Sequence, residues 1–189
     1  MIRRAISVAA LSLLGLAGCA GSRPAAQMLD HRPVARAEAV PSEAWNNLYH
    51  DGPIWFGGQP QLSGLQALPD EGIRTVINVR TEPEMSEEQI GFDEMSTVMQ
   101  GGMEYIRIPV SPDTLSNNDA DRLAAVLSRR SEPVVIHCGS ANRAGGLWAL
   151  YLYRHRGVPV DEAIEIGRSA GLRSDAMEQA VRRVIAESP

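Results

Sequence analysis

Lysine is absent from this chain, so all 18 of its basic residues are arginine, and only 5% of its residues are aromatic. The formal net charge is −5, which makes the chain a poor candidate for binding nucleic acid or anionic lipid surfaces. The four histidines form no cluster with metal-ligand spacing, so we predict no metal site. Internal repeats are absent as well, which excludes a repeat architecture.

The first 18 residues are typical of an export signal. Two arginines precede an apolar run over residues 5–14, and this run is too short for a stable membrane span. Residues 16–19, Leu-Ala-Gly-Cys, resemble the lipobox of bacterial lipoproteins, so we expect removal of residues 1–18 and lipidation of Cys19. Ala20 differs from the aspartate that retains some lipoproteins at the inner membrane, which favours a periplasm-facing outer-membrane anchor. The alternative is an ordinary secretory signal cut nearby.

The second cysteine, Cys138, has no disulfide partner in the chain if Cys19 is lipidated. A lone thiol is a liability in an oxidising compartment unless it has a use. A buried, inert cysteine is the alternative, but Gly139 and Ser140 follow Cys138 where an apolar run would be expected for a core position. Cys138 is therefore a candidate nucleophile.

Composition divides the rest of the chain into two parts. Residues 19–44 are rich in Ala, Arg and Pro without sustained periodicity, which predicts a flexible, lipid-anchored tether. Residues 45–189 alternate apolar strand patterns with helical ones, which predicts one α/β domain, a three-layer sandwich with a mostly parallel central sheet. Strands are predicted at 54–56, 75–79, 103–110 and 134–138, and helices at 63–68, 86–99, 116–130, 143–156, 160–170 and 174–187.

The most informative segment joins the last predicted strand to the helix after it. The strand Val134–Cys138 ends in a cysteine, four small residues follow, and Arg143 opens the helix. A thiolate is a strong nucleophile only where positive potential stabilises it, and loop N–H groups together with a helix N-terminus supply such potential. Arg143 adds a planar fork that can hold two oxygens of a tetrahedral oxyanion. The pattern predicts an oxyanion-binding loop with a nucleophile at its floor.

Four segments in order resemble dual-specificity protein phosphatases. They are Gly58-Gln59-Pro60, residues 72–80, Ile108-Pro109-Val110, and residues 137–143. The resemblance is strongest to the bacterial branch named after the phosphatase-like domain of beta-lactamase hydrolase-like proteins, and residues 148–153, 161–163 and 170–172 extend it. It covers about residues 53–173 and implies a cysteine-phosphatase-like fold.

The resemblance also implies a mechanism and a set of site residues. Cys138 would attack phosphorus and form a phosphocysteine that water hydrolyses, while Arg143 stabilises the charge of the transition state. The N–H groups of Gly139, Ser140, Ala141 and Asn142 would bind the phosphoryl group of a phosphorylated substrate. His137 resembles the family histidine that orders this loop and favours the thiolate. The resemblance implies no cofactor and no metal.

A general acid must protonate the leaving oxygen, and the family places an aspartate after the strand that corresponds to 103–110. Asp113 is therefore the candidate, with Asp119 and Asp121 as weaker ones because acidic residues in a first helical turn usually interact with the helix dipole. Arg80 resembles a family arginine, with helix capping or a salt bridge as the alternative role.

The chain departs from the family pattern in two places. Four residues separate Cys138 from Arg143 where the phosphatase loop usually has five, and four is the spacing of rhodanese-type sulfurtransferases. Ala144 stands where phosphatases often place a hydroxyl that helps release the cysteine. Three functions therefore stay open: a phosphatase of phosphate monoesters, a sulfurtransferase that uses a Cys138 persulfide, and a non-catalytic anion-binding module.

Overall fold

A computed structural model describes residues 28–188. Its centre is a six-stranded sheet in the order β1-β2-β3-β6-β4-β5. The strands are β1 Glu38–Ala39, β2 Leu48–Asp51, β3 Ile54–Gly57, β4 Thr75–Asn78, β5 Glu104–Arg107 and β6 Val134–His137. The α-helices are α1 Leu62–Ala67, α2 Glu87–Ile90, α3 Glu94–Gln100, α4 Asn117–Leu127, α5 Asn142–Arg156, α6 Val160–Ser169 and α7 Asp175–Ala186. Short 3₁₀ helices lie at Leu29–His31 and Glu82–Glu84.

The predicted α/β sandwich with a mostly parallel sheet is confirmed. Strands β3, β6, β4 and β5 pair in parallel, whereas β1 and β2 extend the sheet as antiparallel edge strands. Alternate residues of the central strands bury opposite faces, since Ile136 belongs to the larger core cluster and Val135 to the smaller one. Helices α4 to α7 contribute to the larger cluster, while α1 and α3 contribute to the smaller cluster.

The central position of α5 explains why the residues after Arg143 are apolar on every face of the helix. Residues 144–152 are buried without exception, because α5 lies between the sheet and neighbouring helices of the same layer. Trp148 stacks on Tyr151 with ring centroids 4.9 Å apart and also contacts Phe56 of β3. The large aromatic residues therefore fix the helix that follows the cysteine loop against the sheet.

The helix predicted at 86–99 is interrupted in the structure. Gly91 adopts a left-handed φ of 91° and ends α2, and the side chain of Asp93 accepts a hydrogen bond from the Ser96 N–H to begin α3. A left-handed glycine is a common helix terminator and aspartate a preferred N-cap. The acidic residue that follows the new N-cap, Glu94, is buried for this reason rather than exposed on a longer helix.

The flexible tether predicted for residues 19–44 is wrong for residues 28–44, which pack on the domain. Leu29 is buried in the larger core cluster, and its N–H donates to the Arg130 carbonyl at 2.8 Å. Both guanidinium nitrogens of Arg32 donate to the carboxylate of Asp51, at 2.7 and 2.8 Å. A two-residue strand and an ion pair with a distant residue leave no periodic signal in the sequence. Residues 1–27, with Cys19, lie outside the described residues.

No helix between residues 28 and 188 is long and apolar enough to cross a membrane.

Candidate active site

The cysteine loop begins where β6 ends, at the carboxyl edge of the parallel strands. Cys138 is buried, and its N–H donates to the Gly57 carbonyl at 3.1 Å. The Ser140 N–H points at the Cys138 Sγ atom, 3.5 Å away. The predicted nucleophile therefore lies at the floor of a loop that directs at least one backbone donor toward its sulfur.

A neighbouring segment after β3 holds this loop from one side. Gly58 forms an isolated bridge with Ser140, and the Gln59 N–H donates to the Gly139 carbonyl at 3.1 Å. A side chain at position 58 would place its Cβ 1.7 Å from the Asn46 carbonyl oxygen, so glycine is required there. The Gly58-Gln59 motif that carried part of the family resemblance is thus a support for the cysteine loop.

Ala141 gives the loop its turn into α5. Its φ is 68°, in the left-handed region, and its side chain is fully buried. This conformation costs an L-residue roughly 1–2 kcal/mol, and strain of this kind is often retained at functional sites. A Cβ at Gly171 would lie 2.6 Å from the Cβ of Ala141, so the segment after α6 must be glycine where it contacts the loop.

Asn142, the first residue of α5, uses its side chain to bind the segment that precedes α7. Its Oδ1 atom accepts from the N–H groups of Arg173 and Ser174 at 2.8 and 2.9 Å, and its Nδ2 donates to the Ser174 Oγ at 2.9 Å. Both the oxygen and the nitrogen of the amide are engaged in these contacts. The predicted contact of Asn142 with substrate therefore depends on its backbone N–H.

Arg143 lies in the first turn of α5 between the thiol and a carboxylate that the sequence did not indicate. Its two Nη atoms donate to the two oxygens of Glu84 at 2.6 and 2.7 Å, and Nη1 also reaches the Val110 carbonyl at 3.3 Å. Hydrogen bonds to Glu84 raise the pKa of Arg143 most, and the nearby Cys138 raises it further. The guanidinium is therefore held in one orientation beside the sulfur.

Glu84 is fixed in turn by the residue that begins its own 3₁₀ helix. Its Oε2 atom accepts from the Thr81 N–H at 2.9 Å and from the Thr81 hydroxyl at 2.5 Å. Chiefly through its bonds with Arg143, the pKa of Glu84 falls to about 2. A carboxyl group that is ionised at neutral pH has no proton to give, so Glu84 orients Arg143 and is not the general acid. The Thr-x-x-Glu pattern signals a capping box, but nothing in it points to Arg143.

Asp113 lies on the loop after β5, where the resemblance placed it. It is exposed, and its side chain forms no hydrogen bond or ion pair with any residue from 28 to 188. The same loop includes Val110, whose carbonyl accepts from Arg143. Asp113 is thus a free carboxyl group on a segment that adjoins the cysteine loop, and its role as general acid stays a prediction.

The weaker acid candidates are engaged elsewhere. Asp119 is buried and caps α4 by accepting from the N–H and the hydroxyl of Ser116 at 3.0 and 2.9 Å. Asp121 binds Arg154 at 2.6 Å and His155 at 2.8 Å. Both arrangements are structural, as acidic residues of a first helical turn usually are.

Arg80 follows β4 and is buried next to the cysteine loop. Its Nη1 donates to the Gln59 Oε1, and its backbone N–H donates to the Asn78 Oδ1 at 2.8 Å. Within the described part of the chain it forms no ion pair, so neither helix capping nor a salt bridge accounts for it. Its Nε is buried without a hydrogen-bond partner. A positive charge is thus held near the loop, with Gln59 between Arg80 and the loop.

His137 is fully buried directly behind Cys138, and its Nε2 lies 3.0 Å from Oε1 of Glu94. The Trp45 ring and the imidazole form a T-shaped pair, with ring centroids 6.0 Å apart. Glu94 is the second carboxylate that sequence reasoning missed, since its position in the helix pattern gave no sign of burial. Across residues 28–188, no group of three or more His, Cys, Asp or Glu side chains is arranged to hold a metal.

Comparisons with known proteins agree with this geometry. Residues 25–183 match the model of a family described as DSP-PTPase phosphatase fused to NAD+ kinase. A beta-lactamase hydrolase-like protein of Agrobacterium fabrum is 30% identical over 97 residues, which is 51% of this chain but 22% of that protein.

Among solved structures, Pseudomonas aeruginosa TpbA superposes with a TM-score of 0.63 at 19% identity, covering 82% of this chain and 91% of TpbA. A Cys-to-Ser variant of TpbA in complex with pTyr superposes with a TM-score of 0.59 at 18% identity, covering 79% and 93%. These likenesses show a shared fold.

The Glu84–Arg143 pair predicts a pH-dependent contribution to stability. The pKa of Glu84 is lowered from 4.5 to about 2, so the pair stabilises the folded state fully above pH 4.5 and loses this contribution as the pH falls through about 2. Glu84→Gln should therefore be less stable than the wild type at pH 7, and the difference should disappear toward pH 2. Urea unfolding at a series of pH values measures it. A difference that stays constant with pH would contradict the ion pair.

Proposed function

The chain belongs to the family of DSP-PTPase phosphatases described as fused to NAD+ kinase, and from this membership we propose that it hydrolyses phosphate monoesters through a phosphocysteine on Cys138. The observation that carries the proposal is the placement of Arg143 beside a buried Cys138 in a loop that points an N–H at the sulfur. The chain spans about a fifth of the length of its Agrobacterium relative, so the activity of that whole protein is not transferred to it.

The proposed reaction has two steps. In the first, the Cys138 thiolate attacks phosphorus, the bond from phosphorus to the ester oxygen breaks, and Asp113 gives its proton to that oxygen. In the second, water attacks the phosphocysteine, Asp113 takes the proton from this water, and inorganic phosphate leaves as the thiolate is restored. Loop N–H groups and Arg143 stabilise the charge on the equatorial oxygens in both steps.

The contacts of Arg143 support this role because they leave donors free on one edge of its guanidinium. Of the five N–H groups of an arginine, two bind Glu84 and one reaches Val110. The Nε hydrogen and one Nη2 hydrogen remain on the edge that faces the Cys138 sulfur. The Nη2 atom also lies next to the loop, 3.8 Å from where a Cβ of Gly139 would be. A phosphoryl group bound in the loop could therefore accept two parallel hydrogen bonds from this edge.

We propose a phosphotyrosyl or phosphoseryl protein side chain as the substrate. The support is that a variant of TpbA, a structural relative, was crystallised with pTyr. An aryl phosphate resembles that ligand and is the first substrate to test.

The central test uses an aryl phosphate in the presence of a metal chelator. We expect the wild type to hydrolyse it, Cys138→Ser to show no turnover, and Arg143→Ala to lose about a thousandfold in kcat/KM because a charged bidentate contact is removed. Arg129→Ala is a matched control, since Arg129 is exposed and its side chain forms no hydrogen bond or ion pair with any residue from 28 to 188. A parallel assay with thiosulfate and cyanide separates the chemistries. A persulfide on Cys138 without any phosphate hydrolysis would show a sulfurtransferase instead.

The general acid is tested by leaving-group dependence. Asp113→Asn should slow an alkyl phosphate about a hundredfold but an ester of nitrophenol much less, because a good leaving group needs no proton in the transition state. Asp121→Asn, which removes a carboxylate already bound to Arg154 and His155, serves as the control. Equal losses on both esters would place the acid elsewhere.

We also propose that Cys19 anchors the domain to a membrane as an exported bacterial lipoprotein, facing the periplasm. The support is the Leu-Ala-Gly-Cys sequence that ends at Cys19. Multiple acyl chains bind membranes far more stably than one chain does. Cells that produce the wild type should hold the protein in the outer-membrane fraction, and Cys19→Ser should release it. A wild-type protein that is soluble and unlipidated would disprove the anchor.

A further inference from the structure

A buried ion pair lies directly behind the cysteine loop. His137, the last residue of β6, places Nε2 3.0 Å from Oε1 of Glu94, and the side chains are 0% and 1% exposed. Glu94 is the first residue of α3, on the opposite side of the sheet from the helix that carries Arg143. A carboxylate this deeply buried persists only where hydrogen bonds and an opposite charge compensate it.

Every group that contacts the Glu94 carboxylate is a donor. Oε1 accepts from the Asn78 Nδ2 at 2.6 Å and the Tyr105 hydroxyl at 2.9 Å, while Oε2 accepts from the Gln59 Nε2 at 2.9 Å. Burial alone would favour the neutral acid, but the charge of His137 and these hydrogen bonds hold the pKa of Glu94 at about 2. Glu94 is therefore ionised and can only accept.

The acceptor at Nε2 requires a hydrogen on that nitrogen of His137. Because Glu94 accepts, Nε2 of His137 carries a hydrogen, and the ring is either the neutral Nε2–H tautomer or the imidazolium. Nδ1 is buried and forms no hydrogen bond with any residue in the described range, so Glu94 is the group that fixes the ring.

The other titratable or charged groups near the pair do not replace Glu94. Arg80 reaches the carboxylate only through Gln59, to which its Nη1 donates. Tyr105 on β5 stays a neutral donor because burial and the charge of Glu94 raise its pKa. Arg107, at the end of β5, is paired with Glu82. On the opposite side lie Cys138 and Arg143 themselves.

We propose that Glu94 is a positioning residue for the Cys138 nucleophile: by accepting the Nε2 hydrogen it fixes the His137 ring and stabilises the imidazolium, which places positive charge immediately behind the thiolate. The inference deepens the proposed function and depends on it for the use of the thiolate. Glu94 does not touch the substrate and acts through His137.

The consequence appears in the reactivity of Cys138. A cation behind the sulfur favours the thiolate, which is the form that alkylating reagents attack. In Glu94→Gln the neutral amide stabilises the imidazolium less, so the midpoint of Cys138 alkylation against pH should move upward by about one unit. The Cys138 peptide is quantified by mass spectrometry after treatment of the full chain with iodoacetamide, so reaction at Cys19 does not interfere.

Three further variants separate positioning from a general structural effect. Tyr105→Phe removes a donor to the same carboxylate without changing its charge, so it should move the midpoint much less than Glu94→Gln does. Glu88→Gln removes an exposed carboxylate of α2 that has no side-chain contact and is the matched charge control. In a His137→Asn background, the Glu94→Gln change should have no additional effect on the midpoint.

Glu94→Asp keeps the charge on a shorter side chain, so its midpoint should lie between those of the wild type and Glu94→Gln. This variant also provides a test if Glu94→Gln folds poorly. The proposal is overturned if folded Glu94→Gln retains the wild-type midpoint, or if its shift persists without His137. Alkylation does not require turnover. A shifted midpoint in a protein that hydrolyses no phosphate ester would therefore support the Glu94 inference while rejecting the phosphatase function.

Discussion

The parallel pairing of β6 between β3 and β4 is the constraint on which the site depends. In this register His137 lies opposite Gly57 on one side and Asn78 on the other. The chain segments that leave β3, β4 and β6 therefore emerge at the same edge, where the carboxyl ends of parallel strands typically build binding sites. Gln59 reaches the cysteine loop, and Arg80 reaches Gln59, because their strands end level with it. A slip of one residue would turn every side chain to the other face and disperse the site.

Two carboxylates hold the two basic side chains of the site, Arg143 and His137, from opposite directions. Glu84 binds Arg143 on the face of the sheet occupied by α5, and Glu94 binds His137 on the opposite face. Each carboxylate is in turn fixed by neutral donors, a threonine in the first case and an amide and a phenol in the second. Charged groups in fixed positions need no reorganisation when charge develops on a bound phosphoryl group. The arrangement thus explains why acidic residues occur beside an anion-binding loop.

The extent to which the sequence predicted this arrangement depends on how local each feature is. The cysteine, its loop and Arg143 are contiguous, so the strand-loop-helix pattern predicted them together, and β3 to β6 followed from apolar runs bounded by turns. Glu84 and Glu94 contact residues that are 59 and 43 positions away in the chain, and local patterns carry no such information. The burial of Glu94 also depends on the break at Gly91. This break ends α2, so that Glu94 becomes the buried first residue of a separate helix, α3. The prediction of a flexible tether failed for residues 28–44 for the same reason, since Arg32 and Asp51 form a long-range pair.

Because the cysteine loop is short, Glu84 and Glu94 contribute more to the proposed chemistry than they would beside a longer loop. With four residues between Cys138 and Arg143, the loop offers fewer inward N–H groups, and it closes only because Ala141 accepts a left-handed conformation. Stabilisation of an oxyanion then falls more heavily on the free edge of Arg143, whose direction is set by Glu84. Support of the cysteine from behind then falls more heavily on His137, whose ring is held by Glu94. Residues that never contact the substrate therefore control how well a reduced loop can perform the reaction.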